Sequence, residues 1–98
     1  MMFAVLFEDD PSRSDMRAKH MAAHLAFLER NAAVITAAGP LKRADDGTPA
    51  GGLWTVKADN AKAVLDLVEA DPFWPTGLRK SVRILEWTQV FRDGKRQA

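Results

Sequence analysis

The stretch Met2-Phe-Ala-Val-Leu-Phe7 decides the fold of this chain. It is a continuous apolar run of residues that mostly favour β-structure, and it ends at a group of acidic residues followed by Pro11. A run of this kind, too short to cross a membrane, predicts a buried central strand. Both of its alternating sets of side chains are apolar, so we expect both faces of the sheet around it to be covered.

The periodicity of the remaining sequence predicts two helices and three further strands. They are a helix from about Ser14 to Asn31, strands at Ala33–Ala38 and Leu53–Lys57, a helix at Ala61–Ala70 and a last strand at Ser81–Phe91. Gly39-Pro40 is expected to end or bend the second strand. The order βαββαβ predicts an α+β fold, the ferredoxin-like plait, with a four-stranded antiparallel sheet and both helices on one face.

The buried stripe of the first helix follows from its apolar spacing. It consists of Met21, Leu25, Leu28 and Ala32. His24 lies at the edge of this stripe and His20 lies further out. This position predicts a partly buried imidazole with one open side.

Composition limits the classes of function. The chain of 98 residues is predicted to be a single domain over residues 1–98, with a basic, solvated tail at about 92–98. A net charge of +1 argues against a nucleic-acid surface, and the absence of cysteine excludes disulfides and thiol catalysis. The apolar N-terminus lacks a basic region and is too short for a signal peptide, so we expect a cytoplasmic protein that does not contact membranes.

The apolar residues on both faces of the strands also predict a partner. In a plait of this order the helices cover only one face of the sheet, and the other face would expose a large apolar patch. A second copy of the chain is the simplest cover, so the sequence predicts a homodimer formed through the open sheet face.

His24 and Asp71 are the candidate catalytic residues. An imidazole titrates near neutral pH, and a carboxylate partner would fix its tautomer and hold its charged form. Asp71 ends the second helix on the same side of the sheet, where the helix dipole disfavours a carboxylate unless a cation lies nearby. The alternative is that His24 only packs at the stripe edge and that Asp71-Pro72 is an ordinary helix-ending turn.

Other side chains are candidates for binding a small organic molecule. Arg17 could anchor an anion or remain a solvated helix residue, and His20 lies near the same stripe. Three aromatic residues, Phe73, Trp74 and Trp87, could form an apolar wall or belong to core and dimer packing. The spacing of His20 and His24 would suit two metal ligands, but no acidic residue stands between them and there is no third histidine, so we expect neither a metal nor another cofactor.

Several short motifs in order resemble the YCII-related family over about Phe3 to Phe91. They are His24-Leu-Ala-Phe-Leu28, Ala38-Gly-Pro-Leu41, Gly51-Gly-Leu-Trp54, Asp71-Pro-Phe73, Gly77-Leu78, Val82-Arg-Ile-Leu-Glu-Trp87 and Val90. The resemblance implies a dimeric α+β barrel of two ferredoxin-like subunits, with an active-site pair at His24 and Asp71. Some family members carry an arginine where this chain has Met21, which leaves Arg17 and His20 as the nearest polar side chains.

The resemblance implies an enzyme of unknown substrate. Relatives in this superfamily isomerise lactones, eliminate halide or carry out cofactor-free oxygenation, so an isomerase, lyase or dehalogenase-like reaction with His24–Asp71 acid/base chemistry is the first hypothesis. A non-catalytic small-ligand binding or accessory homodimer is the second, and a structural dimerisation domain is the third. Fold alone does not choose between them.

Overall fold

The computed structural model describes residues 1–97 and has the predicted plait. Its main elements are β1 (Met2–Asp9), α1 (Asp15–Arg30), β2 (Ile35–Lys42), β3 (Pro49–Lys57), α2 (Ala61–Ala70) and β4 (Arg79–Glu86). The sheet has the strand order β2-β3-β1-β4, and every neighbouring pair is antiparallel. β1 is therefore a central strand, as the apolar run predicts.

The core lies between the sheet and the two helices. Alternate residues of β1 and β3 face the helices and are buried, and they pack against residues of both helices. These core residues are Phe3, Val5, Phe7, Phe27, Trp54, Val56, Val64 and Val68. In the part of the chain that the structure describes, no helix is both long enough and apolar enough to span a membrane.

Helix α1 buries a different stripe from the one that its apolar spacing predicts. Its buried residues are His24 and Phe27, whereas Leu25 is 48% exposed and Ala32 is exposed. The predicted Met21–Leu25–Leu28–Ala32 stripe is therefore wrong for Leu25 and Ala32, whereas Met21 and Leu28 are half-buried and Leu28 packs against the core. Burial of a polar imidazole is possible here because α2 supplies it with a hydrogen-bond partner.

Two strand boundaries also differ from the prediction. β2 continues through Gly39-Pro40 to Lys42, because Pro40 stands on an edge strand whose other side needs no donor. β4 covers Arg79–Glu86 and stops before the predicted end. The chain then forms a separate hairpin of two-residue strands, β5 (Phe91–Arg92) and β6 (Lys95–Arg96), which begins at the predicted end of the last strand and continues into the predicted tail.

Gly51 brings β3 unusually close to β1. Its φ is +99°, and a Cβ atom at this position would lie 1.8 Å from the carbonyl oxygen of Phe7. We expect Gly51→Ala to lower the free energy of unfolding by about 2 kcal/mol or more, through backbone strain and overpacking. Urea denaturation would measure this, with Gly39→Ala as the control because a Cβ there meets nothing within 4 Å. Equal decreases in the free energy of unfolding of the two variants would contradict the close approach of Gly51 to Phe7.

Candidate active site

The end of α2 aims the carboxylate of Asp71 towards α1. Asp71 leaves the helical region, with φ −66° and ψ 132°, because the residue before a proline avoids it. Its Oδ1 accepts the backbone N–H of Phe73 at 3.0 Å, which closes a tight turn around Pro72. The residue is completely buried, so the carboxylate depends on protein partners alone.

His24 meets this carboxylate from the middle of α1. Its Nδ1 lies 2.9 Å from Oδ1 of Asp71, across 47 residues of sequence. The imidazole stacks on the ring of Phe73 with 4.1 Å between centroids, and Trp54 lies further off at 6.5 Å. With only 7% of its surface exposed, His24 is held by one hydrogen bond and by aromatic contact.

Arg79 completes the pairing of Asp71. Its Nη1 donates to Oδ2 of Asp71 at 2.6 Å, and the arginine side chain is only 4% exposed. The guanidinium lies 3.9 Å from the ring centroid of Phe7 and 5.1 Å from that of Trp54. The sequence around Arg79 does not single it out, because Lys80 follows it directly and Arg83 lies on the same strand.

The charge state of Asp71 determines which way the hydrogen bond to His24 runs. Burial alone would raise the pKa of Asp71, but the hydrogen bond from His24, the charge of Arg79 and the Phe73 amide together lower it below the usual value. An ionised carboxylate can only accept, so His24 Nδ1–H donates. Nε2 is then the ring nitrogen that remains for a ligand, since the hydrogen bond of the His24 ring within residues 1–97 is made by Nδ1.

A pocket of about 90 Å³ lies beside His24, between α1 and strands β2 and β3. Its charged side chains are the cations Arg17 and Arg79, and the rest of its lining is mostly apolar. A larger open groove of about 820 Å³ adjoins it and shares Arg17 and Pro40 with it. We assign the site to the smaller pocket because only that pocket is lined by His24.

Arg17 lies where the pocket meets the groove. Its Nη2 donates to Oδ2 of Asp9 at 2.5 Å, and its guanidinium carbon lies 5.5 Å from the ring centroid of Phe73. One carboxylate uses few of the five donors of a guanidinium, and the Arg17 side chain is 25% exposed. Arg17 therefore has donors left for an anionic or carbonyl oxygen.

The other candidate binding residues are placed differently. His20 is half-buried but does not line the pocket, and Trp74 packs against the core. The structure does not bring Trp87 to the site, because its backbone N–H donates to the carbonyl of Met2 at the opposite end of β1. Within residues 1–97 no three histidine or acidic side chains are grouped so that they could hold a metal ion.

The fold and the site define a class: a ferredoxin-like α+β protein with a buried histidine–aspartate pair beside a small pocket. The chain belongs to the YCII-related domain family, whose model matches residues 1–88. A comparison with curated proteins gave no significant match.

A solved structure agrees with this family assignment. It is 5-chloro-2-hydroxyhydroquinone dehydrochlorinase (TftG) from Burkholderia phenoliruptrix AC1100, in complex with 2,5-dihydroxybenzoquinone. The two chains are 33% identical and superpose with a TM-score of 0.78, over 90% of this chain and 94% of that one. The chain is thus similar over nearly its full length to an enzyme that acts on a small molecule.

Proposed function

We propose that this protein is a small-molecule enzyme of the dehalogenase-like type, in which His24 transfers protons and Asp71 orients the imidazole and stabilises its charged form. The observation that carries the proposal is the buried 2.9 Å hydrogen bond from His24 Nδ1 to Asp71, which leaves Nε2 for the pocket. Similarity to a dehydrochlorinase supports the reaction type. Proton transfer by a positioned histidine typically contributes about 10²–10⁴-fold to a rate.

Loss of HCl from a chlorinated hydroquinone shows what a proton-transfer residue would do. Conversion to the quinone removes two hydroxyl protons, adds one proton to the ring carbon that bears chlorine, and releases chloride with the electrons of the broken C–Cl bond. The balance needs no external oxidant or reductant. His24 Nε2 would accept a hydroxyl proton and then deliver a proton to carbon, acting as base and acid in turn.

The pocket favours a planar ring that carries oxygen. The charged residues that line it are Arg17 and Arg79, and both are cationic, so an ionised hydroxyl or a carbonyl oxygen fits better than a cation. Phe73, stacked on His24, would hold the imidazole in place from the protein side. Arg17, which has free donors near the mouth, would bind the oxygen of the substrate.

Turnover in deuterated water tests the proposal. Chloride release would be followed with 5-chloro-2-hydroxyhydroquinone as the probe, and the product would be examined by mass spectrometry and NMR. We expect catalysed chloride release and one deuteron on the carbon that carried chlorine. Binding of 2,5-dihydroxybenzoquinone without release of chloride from the probe would favour the non-catalytic ligand-binding alternative.

We also propose that the protein is a homodimer formed through the open sheet face. Ala4, Leu6, Leu53 and Leu85 lie on the face that the helices do not cover, and Leu85 is 43% exposed. An apolar patch of this kind on a sheet is expected to pack against another surface. The proposal agrees with the dimeric barrel that the family resemblance implies.

A charge on this face should break the dimer. Because Leu6 lies on a central strand, we expect Leu6→Lys to raise the dimer dissociation constant at least about 30-fold, the effect of losing an interface anchor of about 2 kcal/mol. Analytical ultracentrifugation would measure it. Ala26→Lys, on the exposed side of α1, is the control. A Leu6→Lys protein that dimerises as tightly as Ala26→Lys would contradict the proposed interface.

A further inference from the structure

Arg79 is a buried cation that the proton-transfer chemistry does not use directly. Its guanidinium is surrounded by the rings of Phe7, Trp54 and Phe73, at 3.9, 5.1 and 5.4 Å from their centroids. A buried charge is costly unless it is paired and hydrogen-bonded, and its one ion pair in the described part of the chain is with Asp71. The two residues therefore depend on each other.

The partners of Asp71 are divided between its two oxygens. Oδ2 accepts from Arg79 at 2.6 Å, whereas Oδ1 accepts from His24 and from the Phe73 amide. A carboxylate held at both oxygens cannot rotate, so Oδ1 stays opposite Nδ1 of His24. An orienting group of this kind fixes the tautomer of a histidine, as partners of metal-bound histidines do.

We propose that Arg79 is a positioning residue of the site: by occupying Oδ2 of Asp71 it keeps Oδ1 as an acceptor for His24, so that the imidazole holds its proton on Nδ1 and presents Nε2 as the base. The proposal rests on the proposed function only for its effect on turnover. Without Arg79, Asp71 would rotate or take up a proton, and a protonated Asp71 could donate to Nδ1. The neutral imidazole would then carry its proton on Nε2, and a protonated Nε2 cannot act as a base.

The tautomer of His24 can be measured without any substrate. Nitrogen-15 NMR of the imidazole distinguishes a proton on Nδ1 from one on Nε2. We expect the wild-type protein to show the Nδ1–H form, and Arg79→Met to shift the population towards Nε2–H. Lys80→Met, the adjacent exposed cation on the same strand, is the control and should leave the tautomer unchanged.

Turnover separates positioning from direct contact with the substrate. We expect Arg79→Met to lower kcat about 10–100-fold, as loss of an orienting partner typically does. The acidic limb of the kcat–pH profile should move to higher pH, because the charge of Arg79 no longer lowers the pKa of Asp71. In an Asp71→Asn background the same change should have little further effect on kcat, because Arg79 acts through Asp71. Equal losses in both backgrounds would overturn the proposal in favour of substrate binding.

An unchanged His24 tautomer in folded Arg79→Met would also overturn it and leave Arg79 a purely structural role. If that variant does not fold, Arg79→Lys provides the measurement: lysine keeps the charge without the planar fork, so we expect an intermediate tautomer ratio, and a wild-type ratio would count against a need for the arginine geometry. If the His24 tautomer depends on Arg79 but the protein turns over no substrate, the proposed function is wrong and the positioning role of Arg79 still stands.

Discussion

Asp71→Asn is expected to lower the free energy of unfolding by about 3–5 kcal/mol, because it removes one partner of a buried ion pair and leaves the other charge uncompensated. The Arg79 side chain is 4% exposed and could not replace its lost partner with solvent. His24 would lose the charged acceptor of Nδ1 at the same time. Because small domains are stable by only about 5–15 kcal/mol, this is a large share of the total, and urea denaturation would measure it.

Asp66→Asn is the matched control for this loss. It makes the same substitution on the same helix, and Asp66 pairs with Lys62 at 3.1 Å across an exposed i,i+4 contact. Such pairs contribute only about 0.3–0.5 kcal/mol. If the free energy of unfolding fell by the same small amount in both variants, the buried pair would contribute nothing specific to stability.

The pH dependence of the Asp71→Asn effect has a definite sign. Interactions in the fold lower the pKa of Asp71 below that of the unfolded chain, so its stabilisation is complete above the unfolded pKa and is lost as the pH falls through the folded one. The difference in stability between wild type and Asp71→Asn should therefore narrow in acid. A difference that stayed constant down to low pH would contradict the lowered pKa.

His24→Asn is expected to reduce turnover about 10²–10⁴-fold while the protein stays folded. Asparagine places an amide N–H near the position of Nδ1, so the carboxylate of Asp71 keeps a donor, but no group remains that can transfer a proton at Nε2. The measurement is kcat with the chlorinated hydroquinone, together with a thermal melt. Full turnover by a folded His24→Asn protein would rule out His24 as the proton carrier.

His20→Gln is the comparison variant for His24. The two histidines are one turn apart on α1, but only His24 lines the pocket and contacts Asp71. A loss of turnover in His20→Gln together with normal turnover in His24→Asn would transfer the role to His20. The pair of variants thus tests the choice between two residues that have similar positions in the sequence.

Local signals were sufficient to predict much of the fold. Helix α2 has the predicted bounds, because the Asn60 side chain caps its first turn and Pro72 prevents its continuation. The alternation in β3 indicates that Leu53 and Trp54 lie on opposite faces of the sheet, and in the structure Trp54 is buried whereas Leu53 is half-buried. These features depend on residues that are close together in the sequence, so the local sequence pattern predicts them.

The rotation of α1 and the role of Arg79 could not be predicted in the same way. Counting apolar residues favours burial of Leu25 over His24, yet the structure buries His24 because Asp71 satisfies its Nδ1. Arg79 in turn depends on Asp71 and on aromatic rings from β1, β3 and the turn after α2. Each choice depends on a partner far away in the chain, which local periodicity does not report.

The distance of 47 residues between His24 and Asp71 has a consequence for how the molecule folds. Contacts that join distant parts of a chain close large loops and tend to form late, after local helices have appeared. Here the imidazole and the carboxylate meet only when both halves of the chain have docked on the same sheet. A nascent chain with only local helical structure would therefore lack the His24–Asp71 pair, and any chemistry at His24 would begin only when tertiary structure is complete.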